Sequence, residues 1–264
     1  MKIEPNKIIL ADCLEVMEDI ADGSVDAIIC DLPYEVLHKN NPHAKWDRKL
    51  PTEMLWAHYE RIIKDNGAII LFGQGMFTAE LMMSNPKLWR YNLVWDKMRS
   101  TGFLNANRMP LRCHEDILVF YRQMPVYHPQ MTVGDPNHPR GNQPWEQDNH
   151  CYGKYKNGNT TKKVAPTRPN EKFPTSIIRI AKEHETTVFH PTQKPVDLLR
   201  WLIRTYTDKG DVVLDNTMGS GTACVASIIE GRRYIGIEKD PKYFEIAKKR
   251  IEEQERQMKF DFEI

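Results

Sequence analysis

Two short stretches of this 264-residue chain carry side chains in arrangements that could do chemistry. The first is Asp31-Leu32-Pro33-Tyr34. It offers a carboxylate, a neighbouring backbone carbonyl, a rigid proline and an aromatic ring, a combination that can grip an exocyclic amine. Asp31 and the Leu32 carbonyl can each accept one hydrogen of an NH2 group, while Tyr34 stacks on the flat base that carries it. Such a base must first leave its duplex. The second is the stretch from Asp215 to Thr222, DNTMGSGT, in which Gly219 and Gly221 let a ligand approach the backbone amides that open the next helix. A cofactor with a carboxylate or phosphate fits there. Asp215 could hold a cationic amino group, and Glu238, ending the next strand, is placed to accept two ribose hydroxyls. Taken singly, each has a plainer reading: an Asp-x-Pro turn with a packed tyrosine, and a close strand-helix packing turn. A dinucleotide fingerprint needs a third glycine where Ala223 and Cys224 stand, so a nicotinamide cofactor is disfavoured.

These side chains need strand ends to hold them. Lys7–Leu10 reads as a strand ending at Asp12, followed by Leu14, Met17 and Ile20 at helical spacing. Val25–Cys30 is an apolar run of buried-strand length that delivers Asp31 at its C-terminal end. The spacing predicts a helix over 52–64 with Thr52 as N-cap, ended by Asn66-Gly67 before the strand AIILFG. Further strands are expected at 91–95 and 117–121, and a helix at 197–206 with Leu198, Leu199, Leu202, Ile203 and Tyr206 on one face. A βαβα unit follows, with strands at 212–214 and 234–237 and helices at 222–230 and 241–253. The class is α/β.

Between 123 and 175 this pattern is lost, and eight of the seventeen prolines fall there. Residues 97–175 hold twelve Lys and Arg against six Asp and Glu, with Trp145, Tyr152 and Tyr155 interleaved. A basic segment with aromatics suits nucleic acid; a solvated loop is the bland alternative. For the whole chain the net charge is +1, which excludes a uniformly basic nucleic-acid coat. With 41% hydrophobic residues and no apolar run of membrane-spanning length, a globular protein without membrane contact is expected. The five cysteines are scattered without a CxxC pair, and the histidines lack ligand spacing, so neither a disulfide framework nor a metal site is expected. A reducing, cytoplasmic location follows as the expectation.

The order DLPY, basic segment, HPTQKP (190–195), DNTMGSGT and GIEKDPKYFEIAKKRI (236–251) resembles the β-class amino DNA methyltransferases. The likeness spans nearly the whole chain except the basic segment. It implies a Rossmann-like methyltransferase sheet in circularly permuted order, with an inserted target-recognition segment. The parts would be 1–122 as the catalytic half, 123–189 as the insertion and 190–264 as the cofactor half. The implied cofactor is S-adenosylmethionine, held by Asp12, Lys194, Asp215, Gly219, Ser220, Gly221, Thr222 and Glu238, with Lys194 pairing its carboxylate. Asp12 enters because the sheet needs a strand beside the one ending in Glu238, and Lys7–Ala11 is the candidate; a helix-capping role for Asp12 competes with this.

Catalysis would fall to Asp31, Leu32, Pro33 and Tyr34, with direct transfer to adenine N6 after base flipping. The family motif usually reads DPPY, and the motif at 215 usually reads DPFxGSGT, so Leu32, Asn216 and Thr217 are departures. DLPY followed by Lys45-Trp46-Asp47 resembles the adenine-N6 branch. A cytosine-N4 enzyme is the alternative, and a nucleic-acid-binding relative without catalysis is another. A cytosine-C5 enzyme would need a Pro-Cys nucleophile, which does not occur. Double-stranded DNA is the implied partner, contacted through Arg140, Lys154, Lys156, Lys162, Lys163 and Arg168. The resemblance also admits a homodimer and a cognate restriction endonuclease.

Overall fold

In chain order the elements are β1 Lys7–Leu10, α1 Cys13–Glu18, β2 Val25–Cys30, α2 Thr52–Ile62, β3 Ile63–Gly73, α3 Met76–Ser84, β4 Trp89–Thr101 and β5 Arg112–Phe120. They continue as β6 Thr132–Val133, β7 Glu146–Asn149, β8 Gly153–Lys156, β9 Glu171–Lys172, β10 Ile177–Arg179 and α4 Val196–Tyr206. The last are β11 Val212–Asp215, α5 Thr222–Ile229, β12 Arg233–Glu238 and α6 Pro241–Phe262. The structure is a computed structural model that describes residues 3–35, 48–134, 146–149, 153–156, 170–183, 189 and 193–262. The chain divides into two units, Met1–His128 with Thr175–Ile264, and Pro129–Pro174.

The larger unit is built on an eight-stranded sheet in the order β1-β12-β11-β2-β3-β5-β4-β10. Strands β1, β12, β11, β2 and β3 run parallel, and β5 is antiparallel to both β3 and β4. The N-terminal strand fills the place beside the strand ending in Glu238, with Leu10 opposite Glu238. That is the permuted order. It sets the C-terminal ends of β1, β12, β11 and β2 side by side, the edge on which open α/β sheets bind ligands.

Alternation along the central strands divides the core between the two faces. Ile28 and Cys30 of β2 pack with Met17, Ile20, Leu55, Tyr59 and Phe77 from α1, its C-terminal end, α2 and α3. Ala27 and Ile29 pack with Leu198, Leu199, Leu202, Ile203 and Ala223 from α4 and α5. Both faces are covered, which is why β2 is continuously apolar from Ala27 to Cys30 rather than alternating. At roughly 1.5–3 kcal/mol for each fully buried aliphatic side chain, this two-sided burial is what fixes the strand ends.

Two local expectations are corrected. Thr52 is the first helical residue of α2, and Pro51 occupies the N-cap without a side-chain bond; proline suits this boundary because its φ is pre-set. Asn66-Gly67 does not end that helix. The chain passes directly into β3 at Ile63 and absorbs residues 64–67 as an irregularity in the pairing of Val25 and Ala27 with Ile63 and Ala68. Gly67 is required there, since a Cβ would lie 2.6 Å from Ile63 Cγ1 and 2.8 Å from the Asp26 carbonyl. The strands expected at 91–95 and 117–121 are longer, as β4 and β5, and form a long antiparallel hairpin.

In the smaller unit, β6 pairs with β9 and β7 with β8, both antiparallel. No helix among the described residues is long and apolar enough to cross a membrane.

Candidate active site

Asp31 leaves the end of β2 beside the end of β11, because these two strands pair in parallel. The two motifs of the sequence therefore meet. Thr217 Oγ1 donates to the Asp31 carbonyl at 3.1 Å, and Tyr59 Oη donates to Asn216 Oδ1 at 2.6 Å. Asn216 and Thr217 are the two departures from the resembled motif, and each supplies a hydrogen bond that ties the glycine turn to the opposite wall. Leu32, the third departure, sends its side chain into the core.

A cavity of about 830 Å³ is lined by Asp31 and Tyr34 together with Asp12, Asp215, Gly219 and Glu238. That volume suits a nucleoside-sized ligand together with a flat base. Lys194, Ser220 and Thr222 also line it. The wall is partly apolar, through Phe72, Trp95 and Ile237, which strengthens every charge interaction inside it.

The Asp31 carboxylate is held from two sides. Tyr34 Oη donates to Oδ1 at 2.8 Å, and the Lys194 ammonium bonds Oδ2. Tyr34 in turn rests on Phe77, with ring centroids 4.6 Å apart. Lys194 also lies 3.4 Å from Glu115 Oε2 and 5.0 Å from the centre of the Phe72 ring, and Glu115 Oε1 takes Lys97 at 3.1 Å. Burial pushes the Asp31 carboxyl above the usual carboxylate range, against the pull of Lys194. Burial opposes the charge on Lys194 as well, but Asp31 and Glu115 outweigh it and hold the ammonium above its ordinary value. For Glu115 the cost of burial is outweighed by Lys194 and Lys97, and its carboxyl stays low. Sequence reasoning did not single out Glu115 or Lys97. They reach the site because Trp95 and Glu115 are partners across the β4-β5 ladder.

At the glycine turn, Gly221 adopts φ +77 and caps α5; a Cβ there would stand 2.9 Å from Ala247 Cβ. Gly219 donates its amide to Glu238 Oε2 at 2.9 Å, and Gly221 donates to the Met218 carbonyl at 2.8 Å. Both of these amides are engaged within the fold. Ser220 Oγ bonds Gln193 Oε1 at 2.9 Å, and Arg250 Nη1 donates to the Ser220 carbonyl at 2.6 Å and to Thr222 Oγ1 at 3.2 Å. Gln193 also accepts from the Phe189 amide and donates to Glu183. The residues around Lys194 are thereby fastened to the turn. Gln193 and Arg250 lie inside the quoted motifs HPTQKP and GIEKDPKYFEIAKKRI, but the motifs alone gave them no role.

Glu238 accepts from Gly219 and from the Asp240 amide at 2.7 Å, which uses two of about four acceptor sites on a carboxylate and leaves room for a diol. Asp215 accepts from the Thr217 amide at 3.1 Å, and burial pushes its carboxyl up to about 8. Asp12 both caps α1, accepting from Leu14 N at 3.0 Å, and pairs with Lys239 at 2.8 Å. The lysine holds the Asp12 carboxyl below its ordinary value. Of the residues expected to contact DNA, Lys154 and Lys156 lie on β8 in the smaller unit, while Arg140, Lys162, Lys163 and Arg168 lie outside the described residues, as do Lys45-Trp46-Asp47.

With the carboxylate of the DLPY motif and the glycine turn on one cavity, comparison with known proteins is decisive: the DNA methylase family model, N6_N4_Mtase, matches residues 25–249. The chain belongs to this DNA methylase family. It is 26% identical over 278 residues to the type II methyltransferase M.HinfI of Haemophilus influenzae, covering 94% of this chain and 68% of that protein. The solved complex of M1.HpyAVI with SAM superposes with a TM-score of 0.61 at 25% identity, covering 93% of this chain and 98% of that one. The PvuII cytosine-N4-specific DNA methyltransferase shares the fold, with a TM-score of 0.64 at 14% identity over 94% of this DNA methylase and 87% of that chain.

Proposed function

We propose that this DNA methylase transfers a methyl group to the exocyclic N6 of adenine in double-stranded DNA. The observation that carries the reading is the Asp31 carboxylate, oriented by Tyr34, on the same cavity as Asp215 and Glu238. The donor set fits S-adenosylmethionine: Glu238 has acceptor sites left for a ribose diol, Asp215 offers a buried carboxyl for an ammonium, and Asp12 lies on the same wall. When bound, that cofactor would supply an electrophilic methyl group, its sulfonium leaving as a neutral thioether while the methylated nitrogen gives up one proton.

The adenine amine is a poor nucleophile because its lone pair is delocalised into the ring. Asp31 and the Leu32 carbonyl accept its two hydrogens and favour a tetrahedral nitrogen, an interaction stronger at the transition state than in the flat ground state. Tyr34 serves twice, fixing the Asp31 carboxylate through its hydroxyl and offering its ring to the base. Lys194 must release Asp31 Oδ2 for the amine to use it. Gln193 and Arg250 hold the turn and the Lys194 segment in register. Residues 123–189, with Arg140, Lys154, Lys156, Lys162, Lys163 and Arg168, supply contacts to the DNA target.

Incubation with S-adenosylmethionine and unmethylated genomic DNA, followed by digestion to nucleosides and mass spectrometry, tests this. N6-methyladenine is the expected product. N4-methylcytosine alone would refute the adenine assignment, and no methylated nucleoside would refute the activity.

A further inference from the structure

The hairpin joining β4 to β5 ends in a cluster of bare apolar side chains. Leu104 is 100% exposed, Phe103 69%, Met98 62% and Met109 53%. The tip is not a random coil. Gly102, at φ +88, starts a 3-10 turn over Phe103–Asn105, and amides of Asn105, Ala106, Arg108 and Met109 close on carbonyls within the tip at 2.8–3.1 Å. A fixed loop thus presents large apolar groups to water, an arrangement that marks a contact surface rather than a folding solution.

Charge identifies the partner. From Lys97 to His114 the sequence has four Lys and Arg and no Asp or Glu. Lys97 is buried on Glu115, which leaves Arg99 and Arg108 exposed around the apolar tip and Arg112 exposed at its root, where it donates to Gln74 Oε1 at 2.9 Å, and no carboxylate among the described residues pairs with them. A second copy of this chain docked through the same tip would bring two sets of arginines together, which like-charge repulsion opposes. DNA meets both demands, with phosphates for the arginines and a base stack for the apolar tip. The root of the hairpin also belongs to the site, since Lys97, Thr101, Arg112 and Glu115 line the cavity that holds Asp31.

We propose that the β4-β5 hairpin is a DNA wedge: Phe103 and Leu104 enter the base stack beside the target and take the room left by the flipped base, while Arg99, Arg108 and Arg112 bind the flanking phosphates. This rests on the methylation of duplex DNA proposed above and goes beyond it by assigning the element that opens the duplex. Apolar side chains inserted between base steps are a known means of unstacking DNA, and their benefit is greatest where the base is fully paired.

The test compares Phe103→Ser/Leu104→Ser with the wild type on two duplexes carrying the methylation site identified by sequencing the product. One duplex is fully paired, and the other has a mismatch opposite the target base. Both changes lie in exposed side chains, and cofactor affinity, measured alongside, is expected to be unchanged. The variant should methylate the paired duplex at least about tenfold more slowly, the loss of part of one base step's unstacking, and the mismatched duplex within about threefold of the wild type. Arg99→Ala and Arg108→Ala should each reduce the salt dependence of DNA binding by about one phosphate contact. Equal wild-type and variant rates on the paired duplex would overturn the wedge, as would equal losses on both duplexes. Conversion of a wild-type dimer to a monomer by the double change would also overturn it, placing the tip between copies. A wild type that methylates neither duplex overturns the activity itself and the wedge with it.

Discussion

Lys194 places its ammonium on the Asp31 carboxylate, in reach of the same oxygen that the target amine would need. The lysine is one-twelfth exposed and braced by Glu115 at 3.4 Å, so it is a built contact rather than a surface pair. Resemblance assigns Lys194 to the cofactor carboxylate. In the fold its ammonium stands between Asp31 and Glu115.

Removing this cation leaves the Asp31 carboxylate with no cation and Glu115 with Lys97 alone. Lys194→Met is expected to destabilise the fold by about 3 kcal/mol, since breaking a buried ion pair leaves an uncompensated charge. Adding Glu115→Gln to Lys194→Met should recover part of the loss, a non-additivity typical of groups in one network. Urea denaturation of the single and double variants measures both effects. A Lys194→Met protein as stable as the wild type would show that the contact is not held.

Asp31→Ala is expected to lower methyl transfer by at least about 10²–10³-fold, the range for losing a group that acts on the transition state. Cofactor affinity should stay within about threefold, because Asp215 and Glu238 remain in place. Single-turnover rates alongside a cofactor titration separate the two. Unchanged turnover would remove Asp31 from the chemistry.

Asp215 gives the site a pH signature. With its carboxyl near 8 it is protonated at pH 7 in the ligand-free protein, and an ammonium ligand must drive that proton off. Cofactor binding at pH 7 should therefore release up to one proton, seen by calorimetry in buffers of different ionisation enthalpy. The same group bears on stability. Its folded pKa lies above the ordinary 3.8, so the stabilisation is complete below that value and is lost as pH rises through about 8. Asp215→Asn should raise the Tm of the ligand-free protein at pH 8 by about 2–4 °C while weakening cofactor binding. An unchanged Tm with no proton release would contradict the elevated carboxyl.

Tyr59 is fully buried, and its hydroxyl joins Cys30 Sγ at 3.1 Å to Asn216 Oδ1 at 2.6 Å. Tyr59→Phe should cost about 1–3 kcal/mol, because Asn216 is left with a buried acceptor unmet. Thermal unfolding reads the loss. A cost below about 0.5 kcal/mol would mean that the turn does not depend on this anchor.

Much of the site was legible because its chemistry sits at the ends of strands that announce themselves. Ala27–Cys30 is apolar without interruption and stops at Asp31, and the turn after Leu214 needs Gly221 for the close approach of α6. The place of β1 came from the resembled methyltransferase sheet, which needs a strand beside the one ending in Glu238, and β1 pairs there. What stayed hidden depended on register. Glu115 and Lys97 look like ordinary strand charges until the β4-β5 ladder and the buried Lys194 bring them together. Asn66-Gly67 misled because a strong turn signal was overridden by packing, with Ile63 already in the core and the surplus residues folded into the β3 pairing. The Asn216 and Thr217 departures gave no hint of their partners, which lie on elements far away in the chain.

The pairing of β1 with β12 joins Asp12 to Lys239 across 227 residues of sequence. During synthesis the first strand emerges long before its neighbour exists, and it must wait as an open edge on the ribosome. Contacts of such span slow folding and lengthen exposure to misassembly. A nascent chain released before residue 238 would carry Asp31 but lack a complete β12, so the wall that Glu238 and Lys239 give the cavity forms only once that strand has been made.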